Sequence, residues 1–274
     1  MLKTRVITAL VLLPVVLGAV FGLSRLPFAL IAALFFLAAA WEWSGMTQRG
    51  AVAARVLWVA SVAALMALAE WWQPAWLLTL LPLWWLAALA AVVLYPGGVG
   101  GWFRQPWLAL TGWLLLVPSW AAVVHVQSTG AAGLPGPWAL LFVLCWVWAA
   151  DTGAYFAGRA LGRHRLAPAV SPGKTLEGLA GGLLLALTVV ALVAWYGPVA
   201  AQDRPLLLAV ALVTVLASVL GDLFESLVKR RCGVKDSGTM LPGHGGMLDR
   251  IDSITAALPV AVMLMSWAGL PGGL

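Results

Sequence analysis

Charge is the scarcest property of this sequence. Asp, Glu, Lys and Arg make up only 9% of its 274 residues, against roughly a quarter in a typical soluble domain. A water-soluble fold of this length could not cover itself with so few charges, so that class is excluded. Cysteine is equally sparse. Cys145 lies in an apolar run and Cys232 in a basic segment, which excludes a disulfide framework and a Cys-x-x-Cys zinc site. Heptad repeats, low-complexity tracts and soluble inserts are also missing. What fills the chain instead is apolar: 63% of residues are hydrophobic, against roughly 45–50% in soluble domains. Many of the 17 Trp stand near the ends of apolar runs, where amphipathic rings favour the membrane–water boundary.

A bilayer-crossing helix needs roughly 20 mainly apolar residues. The runs Val6–Leu23, Pro27–Trp43, Val56–Trp71, Pro74–Tyr95, Pro106–Gln127, Gly136–Phe156, Gly178–Tyr196, Pro205–Val228 and Ile251–Leu270 meet or approach that length. They predict an all-α integral membrane protein of about nine transmembrane helices. Several open on a proline, which suits a first helical turn that needs no backbone N–H. Lys3 and Arg5 ahead of an apolar run also resemble a signal peptide. However, that run continues to Leu23 without a small-residue cleavage site, and further spans follow at once.

Short cytoplasmic loops collect Lys and Arg. Nine spans with the N-terminus inside put fourteen of the sixteen Lys and Arg on the cytoplasmic side, leaving Arg25 and Arg204 opposite. The C-terminus then faces the other way. The net charge of +6 therefore reads as membrane sidedness and not as a nucleic-acid surface.

Carboxylates are distributed unevenly. Only Glu42 and Glu70 precede residue 151, both at span ends, whereas Asp151, Glu177, Asp222, Glu225, Asp236, Asp249 and Asp252 gather later on one membrane edge. This divides the chain into an apolar scaffold half, 1–150, and a catalytic half, 151–274. Asp151 lies about two turns inside the end of the sixth span, where an ionisable group is costly and marks a candidate site. A polar helix-packing residue is the alternative. Ser171 reads as an N-cap and Pro172 as a first helical residue, so that Lys174, Thr175 and Glu177 would sit at a helix start suited to phosphate. An ordinary capped helix with a snorkelling lysine is the plainer reading. The Gly173-Lys174-Thr175 triplet is not a Walker A loop, because Pro168 occupies the position of its first glycine. Asp222 and Glu225 share a helix face, as do Asp249 and Asp252. Together they would form an oxygen-rich cluster suited to Mg²⁺, unless Lys229, Arg230, Arg231, Lys235 and Arg250 simply neutralise them. Between the pairs, Pro242-Gly243-His244-Gly245-Gly246 is a turn in which backbone can approach a ligand closely.

Ser226-Leu227-Val228-Lys229-Arg230, then Lys235-Asp236-Ser237-Gly238, then Leu241-Pro242-Gly243-His244-Gly245-Gly246-Met247-Leu248-Asp249-Arg250-Ile251-Asp252 resembles the signature of the phosphatidate cytidylyltransferase family. The stretches from Asp151 to Arg159 and from Ser171 to Gly178 are similar to family blocks in the same order. The resemblance implies condensation of CTP with phosphatidate to CDP-diacylglycerol and pyrophosphate, in a homodimer of the bacterial inner membrane with its active site on the cytoplasmic face. It implies Mg²⁺, with K⁺ as a second metal, held through Asp222 and Asp249, and the helix spacing adds Glu225 and Asp252 to the candidate metal set. Lys229, Arg230, His244 and Arg250 fall in catalytic blocks. Asp151, Ser171, Lys174, Thr175, Glu177, Lys235 and Asp236 complete the candidate contacts to nucleotide or cofactor. Related chemistry leaves polyprenol kinases and archaeal-type lipid cytidylyltransferases as enzyme rivals. A cation-coupled transporter is the rival of another class, although such sites usually lie at the bilayer midplane.

Overall fold

The structure is a computed structural model that describes residues 13–47, 51–97, 104, 106–240, 243 and 245–273. Helix α1 covers Leu13–Gly22. It is followed by α2 (Arg25–Thr47), α3 (Val52–Trp72), α4 (Trp76–Thr79), α5 (Trp84–Leu94), α6 (Trp107–Thr129) and α7 (Gly136–Leu161). Then come strands β1 (Arg165–Ala167) and β2 (Ser171–Thr175) and helices α8 (Leu176–Tyr196), α9 (Arg204–Cys232) and α10 (Leu248–Trp267).

Seven helical segments are long and apolar enough to cross a membrane. They are α2, α3, the α4–α5 unit Trp76–Leu94, α6, α7, α8 and Ala201–Cys232. The chain is a multi-pass membrane protein. The first expected span is represented by α1, and its start lies outside the described residues. The ninth is α10, which carries Asp249, Arg250 and Asp252 at its beginning and is not among the seven. It is buried by neighbours along most of its length, with Ala256, Ala257, Leu258 and Val262 fully enclosed. The fourth span is broken by a short 3₁₀ turn at Leu81–Leu83, where Pro82 can donate no backbone hydrogen bond.

The chain is not wholly helical. β1 and β2 form an antiparallel hairpin, with Arg165 opposite Thr175 and Ala167 opposite Ser171. This corrects the expected helix start at Ser171 and Pro172. A residue before proline is driven towards extended backbone, and that applies both to Ala167 before Pro168 and to Ser171 before Pro172. Pro168 also seeds the turn that Val170 N closes onto Ala167 O at 3.1 Å. The helix begins four residues later, where the Thr175 hydroxyl accepts from Gly178 N at 3.1 Å. Thr175 is therefore the N-cap. The Gly-Lys-Thr triplet lies on a strand and not in a phosphate-wrapping loop.

α7 and α8 pack most closely, and α9 and α10 next. Small residues make the first pair possible. A Cβ added at Gly153 would stand 3.0 Å from Gly182 Cα, and one at Gly182 would stand 2.6 Å from Ala150 O. Gly221 does the same for α9 against α10, where a Cβ would meet Asp252 O at 2.5 Å. Pro259 inside α10 leaves the carbonyl four residues back without its usual donor. That carbonyl belongs to Thr255, and the buried Ser119 hydroxyl of α6 lies 2.6 Å from it. At the far end of the bundle, Arg25 holds Glu70 through two contacts of 2.7 and 3.1 Å and reaches Ser128 at 2.8 Å, tying α2, α3 and α6.

Candidate active site

The opposite end of the bundle gathers the C-terminal ends of α2, α7 and α9, the N-terminal ends of α8 and α10, and the hairpin. Two polar groups occupy it, joined by carboxylates.

The first lines a cleft of about 420 Å³ between α7, α8, α9 and the hairpin, walled by Asp151, Tyr155, Arg159, Lys174, Thr175 and Asp222 among others. β2 delivers Lys174 into the cleft, where its Nζ stands 2.7 Å from Asp222 Oδ2. Ser226, one helical turn on, donates to Asp222 Oδ1 at 3.3 Å. Asp151 is near enough to both Asp222 and Lys174 to feel their charges. Arg159 donates to Tyr155 OH at 2.9 Å, one turn apart on α7.

The second group lies between α9, α10 and the connection joining them. Lys229 Nζ is 2.8 Å from Asp249 Oδ1 and 3.2 Å from Glu225 Oε1. Asp249 also accepts the Ser237 amide at 3.2 Å and the Gly246 amide at 2.9 Å. Glu225 is only 1% exposed. Its 3.2 Å approach to Lys229 is an ion pair by distance, yet neither carboxylate oxygen accepts a well-formed hydrogen bond. Asp252 interacts with Asp222 on one side and Glu225 on the other, so acidic groups run without a break from the cleft to Lys229.

Two adjacent helix ends thus bring Asp222, Glu225, Asp249 and Asp252 into one region, and the structure adds Asp151. Among the described residues, no three of His, Cys, Asp and Glu are arranged as they stand to enclose a metal ion. Lys174 and Lys229 hold Asp222 and Asp249 instead. The donor chemistry nevertheless fits a hard divalent cation, because the set is all carboxylate oxygen and the buried Glu225 Oε2 has no hydrogen-bond partner.

Other expected residues sit apart. Glu177 turns away from the cleft and accepts from Arg163 N at 3.0 Å and His164 N at 3.2 Å, with His164 Nδ1 at 2.6 Å. It fixes the entry to the hairpin. Ser171 is taken up in strand pairing, and Arg230 donates through Nε to Val170 O at 3.3 Å, anchoring the hairpin to α9. Lys235, Asp236 and Arg250 are exposed. His244 lies outside the described residues.

Three groups escaped the sequence reading. Arg159 and Tyr155 face the cleft beside Asp151, and the spacing of four along a helix already put them on one face. Glu42 of α2 accepts from Ser237 Oγ and from Leu248 N. The rule that singled out Asp151, an ionisable group within a membrane helix, applied equally to it.

Fold and site together define a membrane-embedded bundle whose acidic and basic groups converge at one end beside an open cleft. The chain belongs to the cytidylyltransferase family, which it matches over residues 3–268. It is 44% identical to the phosphatidate cytidylyltransferase of Pseudomonas aeruginosa over 98% of both chains. It is 38% identical to that of Haemophilus influenzae over 94% of this chain and 96% of the other. The phosphatidate cytidylyltransferase of Staphylococcus aureus is 47% identical over 126 residues, 46% of this chain and 48% of its own.

Proposed function

We propose that this protein transfers the cytidylyl group of CTP to phosphatidate, giving CDP-diacylglycerol and pyrophosphate. The observation that carries the reading is the pairing of Lys174 with Asp222 and of Lys229 with Asp249 at one end of a membrane bundle. Both pairs fall within the length over which the Pseudomonas and Haemophilus phosphatidate cytidylyltransferases are similar.

The phosphatidate phosphate is the nucleophile. A phosphate monoester, with a second pKa near ~6, is largely dianionic at neutral pH, so it needs no dedicated base. One of its oxygens bonds to the α-phosphorus of CTP while the bond from that phosphorus to the β-phosphate oxygen breaks. Pyrophosphate leaves with the electron pair. The task left to the protein is to bring two polyanions together and to hold the leaving group. Lys174 and Arg159 in the cleft, and Lys229 beside it, supply cations for that. An open cleft at the bundle end lets a soluble nucleotide meet a lipid headgroup.

Asp222 and Asp249, with Glu225 and Asp252, would hold a divalent cation such as Mg²⁺, with K⁺ as a second metal. Such an ion offsets phosphate charge and orients the triphosphate. Lys174 and Lys229, beside Asp222 and Asp249, would offer their ammonium groups to phosphate. The scaffold and catalytic halves, the nine-span topology, the homodimer, and a site on the cytoplasmic face of the inner membrane belong to the same reading. The deciding experiment incubates purified protein with labelled CTP and phosphatidate, with and without Mg²⁺, and identifies the product by mass spectrometry. Absence of CDP-diacylglycerol with Mg²⁺ present would reject the reading.

A further inference from the structure

Glu42 sits on α2, among the residues of the apolar half, and is 5% exposed. Burying a carboxylate inside a membrane helix is costly, so its partners matter. Oε2 accepts from Leu248 N at 2.9 Å, 206 residues away, and from Ser237 Oγ at 3.2 Å, 195 residues away. Leu248 is the first residue of α10, where free amides and the helix dipole favour an anion. Oε1 is buried without a hydrogen-bond partner. It lies over Gly238, at which a Cβ would stand 2.5 Å away, and a Cβ at Gly246 would stand 2.8 Å from Glu42 Cδ. The carboxylate fills the niche that these two glycines leave open.

Ser237 links this niche to the site. Its hydroxyl goes to Glu42 and its amide to Asp249, and the Gly246 amide also goes to Asp249. Glu42 and Asp249 therefore both hold the α9–α10 connection, meeting at Ser237. We propose that Glu42 is a positioning residue for the transfer reaction. Acting through Ser237 and the start of α10, it sets the connection so that Asp249 stays within reach of Lys229. The inference rests on the proposed cytidylyl transfer for its kinetic arm only.

The test uses full-length protein in nanodiscs and compares Glu42→Ala, Glu42→Gln, Ser237→Ala and the Glu42→Ala/Ser237→Ala double variant. Glu70→Ala, at the far end of the bundle, controls for loss of a carboxylate. Glu42→Ala should lower kcat by about tenfold or more while KM for both substrates stays within about twofold. Amide hydrogen exchange at Ser237, Gly246 and Leu248 should quicken by about tenfold while α8 is unchanged. Glu42→Gln keeps an acceptor oxygen and should recover kcat to within about threefold of the parent. The double variant should be no slower than Glu42→Ala, because both changes act on one contact. Full kcat or unchanged local exchange in Glu42→Ala would overturn the proposal, as would a Gln variant as damaged as the Ala variant. If exchange rises throughout Glu42→Ala, the protein has lost its fold and Ser237→Ala decides. Local exchange and kcat must then both change in that variant, and parental behaviour overturns the proposal. If the parent protein transfers no cytidylyl group, the function fails while the exchange measurements still judge Glu42.

Discussion

Lys174 on β2 meets Asp222 on α9 at 2.7 Å, so a short hairpin outside the helical bundle supplies the counter-ion of a carboxylate within it. Both side chains are about one-quarter to one-third exposed, in contact with the cleft. Lys174→Ala should leave Asp222 without its cation and remove a phosphate contact. Turnover at limiting CTP should fall by roughly 10–100-fold, in line with loss of a charge-assisted contact of about 1.5–3 kcal/mol. Arg204→Ala, at the far end of α9, should change it little. Kinetics of the two purified variants would check this, and equal small effects would assign Lys174 to the surface.

Asp222→Asn and Asp249→Asn retain shape but lose the charge that, on the proposed reading, would hold a hard cation. Each should lower the rate on the order of 10³-fold at limiting Mg²⁺ while the protein still inserts. Asp203→Asn, beside the start of α9, should be nearly silent. Mg²⁺ titrations of activity separate the cases. Near-parental turnover in either site variant would remove that residue from the metal set.

The α7–α8 contact should tolerate no side chain at Gly153 or Gly182. Gly182→Val places atoms against the Ala150 carbonyl, and overpacking of this kind costs about 1–3 kcal/mol. A lowered melting temperature in detergent is expected for Gly182→Val. Gly173→Ala, with open space around it, should melt as the parent does.

The sidedness expected from the charge partition is open to labelling. After removal of Cys145 and Cys232, single cysteines placed in 159–174 and 229–236 should react with an impermeant maleimide only from the cytoplasmic side. One at position 203 should react only from outside. Labelling of all three from one side would break the nine-span topology.

The helical spans were legible in the sequence because lipid imposes a simple rule of length and apolarity. Their ends were less so. α9 runs through Lys229, Arg230 and Arg231 to Cys232, past the expected end at Val228, because cations suit a helix C-terminus and Gly233 closes it at φ 75°. Asp222, Glu225, Asp249 and Asp252 were found from their spacing of three. The hairpin was missed because Ser171-Pro172 satisfies the local rule for a helix start as well as the rule for extended chain before proline. Pairing with Arg165–Ala167 decided between them, and that is a tertiary fact. Glu42 was seen but left in the scaffold, since its partners Ser237 and Leu248 lie 195 and 206 residues further along.

Pro259 and Ser119 bear on how the protein is made. α10 carries charge at its start and is enclosed by protein, so it gains less from lipid than the helices before it. Its freed Thr255 carbonyl has the Ser119 hydroxyl of α6 at 2.6 Å. Docking, not hydrophobicity alone, therefore retains the last helix, and α10 also brings Asp249 to Lys229. A nascent chain that has threaded every earlier helix still lacks Asp249 and Asp252, so the charged site is complete only once α10 is seated.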